Sequence, residues 1–135
     1  MPRYARKNIS SKFIHLMIQG INKEYIFKDE FEIKMYLKYV REEIKDTDLK
    51  IIAYCMMNNH AHFLIYFDNI ADVSRLMSHV NTKYANFYNA KNNRCGIVFR
   101  NRYKTEEILD QSYLNNCIKY IHNNPVKAGM CKNAC

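Results

Sequence analysis

Residues 49–67 read LKIIAYCMMNNHAHFLIYF. Two short apolar runs, 49–57 and 60–67, are rich in side chains that suit a pleated surface, and Asn58-Asn59 between them is a turn signal. The spacing predicts a β-hairpin. Upstream, residues 12–21, KFIHLMIQGI, form another apolar run closed by Gly20, which predicts a buried strand. Between these strands lies DEFEIKMYLKYVREEIKD, residues 29–46. Its Phe31, Ile33, Leu37, Val40 and Ile44 recur at helical spacing, acids fill the first turn, and Asp29 can cap it.

Downstream of the hairpin, Asp68-Asn69 breaks the strand. Asp72 is then a candidate cap for a long helix. Val73, Leu76, Met77, Val80, Tyr84, Phe87 and Tyr88 lie on one stripe, ending near Lys91-Asn92-Asn93. Gly96 marks a loop, and residues 97–108 read as an edge strand or a strand pair. Asp110 or Ser112 can cap a last helix that runs to about His122. Asn123-Asn124-Pro125 stops it, because proline disfavours helical geometry in the residue before it. The order β-α-β-β-α-β-α is a split βαβ pattern with a C-terminal helix: an α+β sandwich on an antiparallel sheet.

The chain has 135 residues, enough for one domain, 1–135, and 48% are hydrophobic. A chain of this size buries roughly two-thirds of its unfolded surface, so a core forms without disulfides or a structural metal. Seven Phe and eleven Tyr argue against disorder, and three Gly and two Pro against a linker-rich chain. The five cysteines, Cys55, Cys95, Cys117, Cys131 and Cys135, are odd in number and form no CxxC, which favours reduced thiols over a disulfide framework. No apolar run approaches the ~18 residues of a membrane span. No signal-peptide pattern follows the basic start, so a soluble cytoplasmic protein with no membrane partner is expected.

Lys and Arg total 21 against 13 Asp and Glu, a formal charge of +8. Such an excess favours a polyanionic partner. From Val73 to Thr105 there is no acid. Arg75, Lys83, Lys91, Arg94, Arg100, Arg102 and Lys104 fall there, interleaved with Tyr84, Phe87, Tyr88, Phe99 and Tyr103. Basic groups neutralise phosphates and exposed rings stack on unpaired bases, so nucleic-acid contact is the preferred reading. The alternative is that the rings are core and the charges only solubilise.

Two further constellations could carry chemistry. In His60-Ala61-His62 the imidazoles point to one face of a strand, where two can chelate one divalent metal, while Ala61, Phe63, Ile65 and Phe67 form the opposite apolar face. Two ligands do not hold an ion well, so a third must come from elsewhere. Without it, the pair is simply two histidines on a solvated face. Tyr120 and Asn124 stand one helical turn apart at the end of the last helix. An amide oxygen suits Mg²⁺ or Mn²⁺, and a phenol is a nucleophile once activated. The plain alternative is a core tyrosine and a helix terminator. His122 points elsewhere on the helix and ranks below Asn124 as a ligand.

Four segments together resemble the single-tyrosine HUH transposases, which include the IS200-like enzymes, and most closely the REP-associated tyrosine transposase branch. They are MPRYARKNISSKFIHLMIQGINKEYIF at the start, YCMMNNHAHFLI, GIVFRNRYKTEEI and KYIHNNPVKAGM. The second resembles that family's Met-Pro-Asn-His-x-His box, and the fourth its Tyr-Ile-x-x-Asn-Pro-Val-x-Ala-Gly ending. The resemblance covers nearly the whole chain. It implies a ferredoxin-like, RRM-like antiparallel sheet with helices on one side and a C-terminal helix carrying the nucleophile. His60, His62 and Asn124 match the family's metal site, for Mg²⁺ or Mn²⁺, and Tyr120 its nucleophile. Arg102 and Lys104 fall in its basic segment; with Arg75, Lys83 and Arg100 they are the candidate DNA contacts.

The implied reaction is cleavage of single-stranded DNA carrying hairpin or repeat elements, through a 5′-phosphotyrosine, followed by rejoining to a second 3′-OH. Relatives include dimers that share a site, so a homodimer is compatible. No side chain of the motif is an evident general base. Two departures stand out. Asn58 replaces the usual Pro, which should alter only the turn. The chain stops at Cys135, soon after Gly129, so the DNA-binding tail of many relatives is expected to be missing. Two competing readings are a non-catalytic, RRM-like single-strand binder and a nuclease in which water attacks. The first lacks an Arg-Gly-Phe-Gly-Phe-like box and leaves the His pair without a use.

Overall fold

The computed structural model describes residues 12–100, 103–108, 115, 116 and 119. Asn115, Asn116 and Lys119 are helical, as expected of the last helix. The rest of that helix, its expected caps, and Arg102, Tyr120, His122 and Asn124 lie outside the described residues.

Strand β1 (Phe13–Gln19) alternates between half-buried and buried side chains. A period of two is what a pleated strand with two different faces requires. The loop after it passes through Asn22 (φ 54°) and Lys23 (φ 60°), two successive left-handed residues. Gly20 enters this loop with the backbone of Glu24 pressed against it. A Cβ on Gly20 would collide with the Glu24 carbonyl oxygen and lie 2.9 Å from Ile26 Cγ2.

Helix α1 (Glu30–Ile44) is capped as expected by Asp29, whose carboxylate accepts the Glu32 N–H at 2.8 Å. Glu32 reaches back to accept the Lys28 N–H at 2.6 Å, a reciprocal arrangement close to a capping box. The buried stripe of α1 is turned from the expected one. Phe31 is 56% exposed, and Tyr36, absent from the expected set, is fully buried. Tyr36 can go inside because its hydroxyl donates to Asn81 Oδ1 at 2.7 Å. Ile33, Leu37, Val40 and Ile44 take the packed positions expected of them.

Strands β2 (Lys50–Met56) and β3 (His60–Tyr66) form the expected hairpin, with the Met57 N–H donating to the His60 carbonyl at 2.8 Å. The turn is clamped to the loop after β1. The Asn59 carbonyl accepts from Gly20 at 2.8 Å, and the Asn58 carbonyl from both Ile26 and Phe27 at 2.9 Å. These contacts use the main-chain carbonyl of Asn58, not its side chain, so a proline at 58 would offer the same acceptor.

Helix α2 (Ile70–Lys91) begins earlier than Asp72 suggested. Asn69 is its cap, accepting the Ala71 N–H at 3.0 Å, and Asp72 sits in the first turn. Asp72 pairs instead with Arg75 at 3.4 Å. Either side chain can cap; the chain leaves the extended conformation at Asn69, and that decides. Among the described residues of 97–108 there are an edge strand, β4 (Lys104–Ile108), and an isolated bridge between Phe99 and Gly20.

The sheet order is β2-β3-β1-β4, antiparallel throughout. Ile14, Leu16 and Ile18 of β1 and Ala61, Phe63 and Ile65 of β3 face one way and are buried. Tyr36 and Val40 of α1 and Val73, Leu76, Met77, Val80 and Tyr84 of α2 join them in one core. The helices thus cover one face of the sheet. The other face carries His15, Met17 and Gln19 opposite Leu64, His62 and His60.

Candidate functional site

His60 and His62 lie on β3, between β2 and β1, and share the face away from the helices. Their rings stand 5.0 Å apart, edge to face. The intervening Ala61 and the following Phe63 and Ile65 are sealed in the core. The hydrophobic pattern fixes this register, since a slip by one residue would bury the imidazoles and expose Phe63.

Each ring is held by its Nδ1. His60 Nδ1 lies 2.7 Å from Asn59 Oδ1. An amide oxygen only accepts, so Nδ1 carries the proton and the lone pair of the neutral ring is on Nε2. His62 Nδ1 lies 3.0 Å from Nε2 of His15, a residue not among the expected site residues. The His15 and His62 rings stack at 5.2 Å with 25° between planes. Burial lowers the pKa of all three. For His62 burial comes first and the neighbouring His15 and His60 second, and together they bring it down to about 4. Neutral imidazole is the form that ligates a metal. Among the described residues no third His, Cys, Asp or Glu completes a metal-binding group with the pair.

The cross-strand registers place the basic candidates. Lys104 pairs with Met17, which in turn pairs with His62, so the three form one row across β4, β1 and β3. Lys104 lines a cleft of about 240 Å³ with His15, Met17, Thr105 and Glu106. Arg100 donates its N–H to the Gln19 carbonyl at 2.8 Å, and Gln19 pairs with His60. Arg100 lines a second cleft, about 360 Å³, with Ile21, Asn22 and Lys23. Arg100 and Lys104 therefore border the histidines.

Arg75 and Lys83 do not. They belong to α2, on the other side of the sheet, beside Asp72 at 3.4 Å and Glu43 at 3.8 Å respectively. Lys91 and Arg94 have structural partners: Lys91 meets Asp29 and Glu32 at 3.0 Å each, and Arg94 meets Glu24 at 3.0 Å. The interleaved rings are not a stacking platform. Tyr84 and Tyr88 are buried, and Phe87, Phe99 and Tyr103 pack against the core. Their phenols anchor loops, Tyr84 on the Ile26 carbonyl and Tyr88 on the Tyr25 carbonyl at 2.6 Å. The absence of acids over 73–105 thus coincides with a helix and a following segment whose rings belong to the core. His15 had a signal: it stands at the out-facing phase of an alternating strand, two places before Met17.

A four-stranded antiparallel sheet with α1 and α2 on one face and an HxH pair on the other defines, among the described residues, a split βαβ protein with a candidate metal centre on its open face. The sequence profile described as transposase, IS200-like, matches residues 8–124, and the chain belongs to that family, whose work is DNA transposition and recombination. No curated protein matches the chain. Among solved structures, one described as the REP-associated tyrosine transposase bound to a REP hairpin superposes with a TM-score of 0.75 at 18% identity. The match covers 99% of this chain and 78% of that one. A Deinococcus radiodurans R1 protein described as a candidate transposase gives a TM-score of 0.55 at 15% identity, over 82% of this chain and 88% of that one. At these identities the likeness is one of fold.

Proposed function

We propose that the chain is a single catalytic domain that cleaves and rejoins single-stranded DNA with Tyr120 as nucleophile and a divalent ion, Mg²⁺ or Mn²⁺, as cofactor. The observation that carries this reading is the His60–His62 pair: neutral, on one face of an inner strand, in a chain of the IS200-like transposase family. The donor set fits such an ion in part. Two imidazoles offer nitrogen, and the amide oxygen of Asn124, if brought beside them, would supply the hard third ligand the pair needs. When bound, the ion polarises the scissile phosphate.

The chain's own groups do the rest. Arg100 and Lys104 neutralise phosphates on either side of the histidines. The Tyr120 hydroxyl attacks phosphorus in line; its oxygen–phosphorus bond forms as the bond to the 3′-oxygen breaks, leaving a 5′-phosphotyrosine and a free 3′-OH. A second 3′-OH attacking the same phosphorus releases Tyr120 and joins new ends. DNA with hairpin or repeat elements is the substrate that the REP-hairpin neighbour suggests. No helix among the described residues is long and apolar enough to cross a membrane.

The test is a denaturing gel that traps protein on a labelled strand. Wild type with Mn²⁺ should give a covalent adduct. Tyr120→Phe keeps the ring and deletes the attacking oxygen, so it should bind the strand and give none, while Tyr113→Phe, the rival tyrosine seven residues earlier in the sequence and without an Asn four places on, should keep most activity. An adduct from Tyr120→Phe refutes the nucleophile. Strand cleavage without an adduct in wild type favours attack by water, and binding without cleavage favours a plain single-strand binder.

A further inference from the structure

We propose that His15 is a positioning residue that fixes the tautomer and the ring plane of His62. The inference rests on the reading of His60 and His62 as metal ligands and adds a residue which that reading does not use.

The geometry is specific. His15 Nε2 is 3.0 Å from His62 Nδ1, and the two rings are nearly parallel. His62 is 5% exposed, so water cannot easily substitute for this partner. His15 does not serve as the third ligand through Nε2, because that atom is engaged with His62. The comparison with His60 shows what the contact does. Asn59 Oδ1 holds the proton of His60 on Nδ1 and leaves Nε2 as its ligating nitrogen. If His62 is to ligate through the same nitrogen, its Nδ1 must carry the proton and His15 Nε2 must accept it. The proton of neutral His15 then sits on its own Nδ1. Glu106, opposite His15 in the β1–β4 register, places a negative charge that acts on that ring. Glu106 on β4, His15 on β1 and His62 on β3 thus run diagonally across the open face as acid, imidazole and imidazole. Partners of this kind orient a ligating imidazole and raise its basicity, and their loss typically costs about 10–100-fold in metal affinity.

The experiment uses the full chain. Long-range ¹H–¹⁵N NMR of the histidine rings, without metal, reads which nitrogen of His62 bears the proton, and calorimetry reads Mn²⁺ affinity. Wild type should show His62 protonated on Nδ1. His15→Leu should weaken Mn²⁺ binding by about 10–100-fold and let the His62 proton move to Nε2. His15→Gln, whose amide oxygen can accept where Nε2 did, should restore affinity to within a few-fold of wild type. Wild type that binds Mn²⁺ with the His62 proton on Nε2 would overturn the proposal alone, as would wild-type affinity in His15→Leu. No Mn²⁺ binding by wild type would overturn the metal-site reading and the proposal with it. Should His15→Leu fail to fold, the wild-type tautomer and His15→Gln still decide.

Discussion

Burial, before any charge, keeps His62 neutral: its pKa falls to about 4, with His15 and His60 adding to the effect. The sign of the linkage follows. Unfolded, the ring has the ordinary value near ~6.5. Between that value and the folded one the unfolded chain holds more protons, so the folded state loses stability as pH drops. Melting temperature should therefore fall from about pH 6.5 toward pH 4, and the fall should be smaller in His62→Ala. A flat melting profile across that window would contradict the burial. For the same reason Mn²⁺ binding should survive below the pH at which a free imidazole is half protonated, with its midpoint on the acid side of ~6.5. His62→Ala should also abolish adduct formation while leaving most of the affinity for single-stranded DNA, which a filter-binding titration would show.

Elements were legible where local chemistry and tertiary packing agreed. The hairpin at 58–59, the cap at Asp29 and the stripe of α2 needed only turn signals and periodicity. Three features depended on partners distant in sequence. Tyr36 is inside because Asn81 meets its hydroxyl. The rings of 84–103 are core because backbone carbonyls from the 25–26 loop receive two of their hydroxyls. His15 joins the site only through the β1–β3 register, and the sequence pattern sees one strand at a time. The junction of α1 and α2 offers the sharpest test of packing. Glu32, fully buried, meets Lys91 at 3.0 Å and Asn92 at 3.1 Å besides the Lys28 N–H. Glu32→Ala takes the acceptor from the Lys28 N–H while Lys91 keeps Asp29 and Asn92 keeps the Tyr88 carbonyl, and should destabilise by about 1–3 kcal/mol, read from urea unfolding. Gly20→Ala sets a Cβ against backbone rather than a yielding side chain. It should cost about 1–3 kcal/mol, with the β1 loop forced away from Asn59.

Across the whole molecule the two faces of the sheet divide the work, helices and core on one, histidines and basic clefts on the other. Affinity for single-stranded DNA should fall steeply with salt. Arg100→Ala and Lys104→Ala should each weaken binding and reduce the salt slope by about 1, whereas Arg75→Ala and Lys83→Ala on α2 should change neither. Equal effects from all four would mean that the DNA path includes the helical side. The position of β3 has one more consequence. It is hydrogen-bonded on both sides, by β1 and by β2, along its whole length. Its successive amides point alternately to β1 and to β2, so exposing them all to solvent deuterium requires both neighbours to let go, which in a sheet of this size amounts to unfolding the domain. Exchange at Ala61 through Ile65 should thus report the global unfolding free energy, while the outer strand β4 exchanges through cheaper openings. The histidine pair is mounted on the part of the molecule that is last to move, and its geometry should hold until the thermal transition itself.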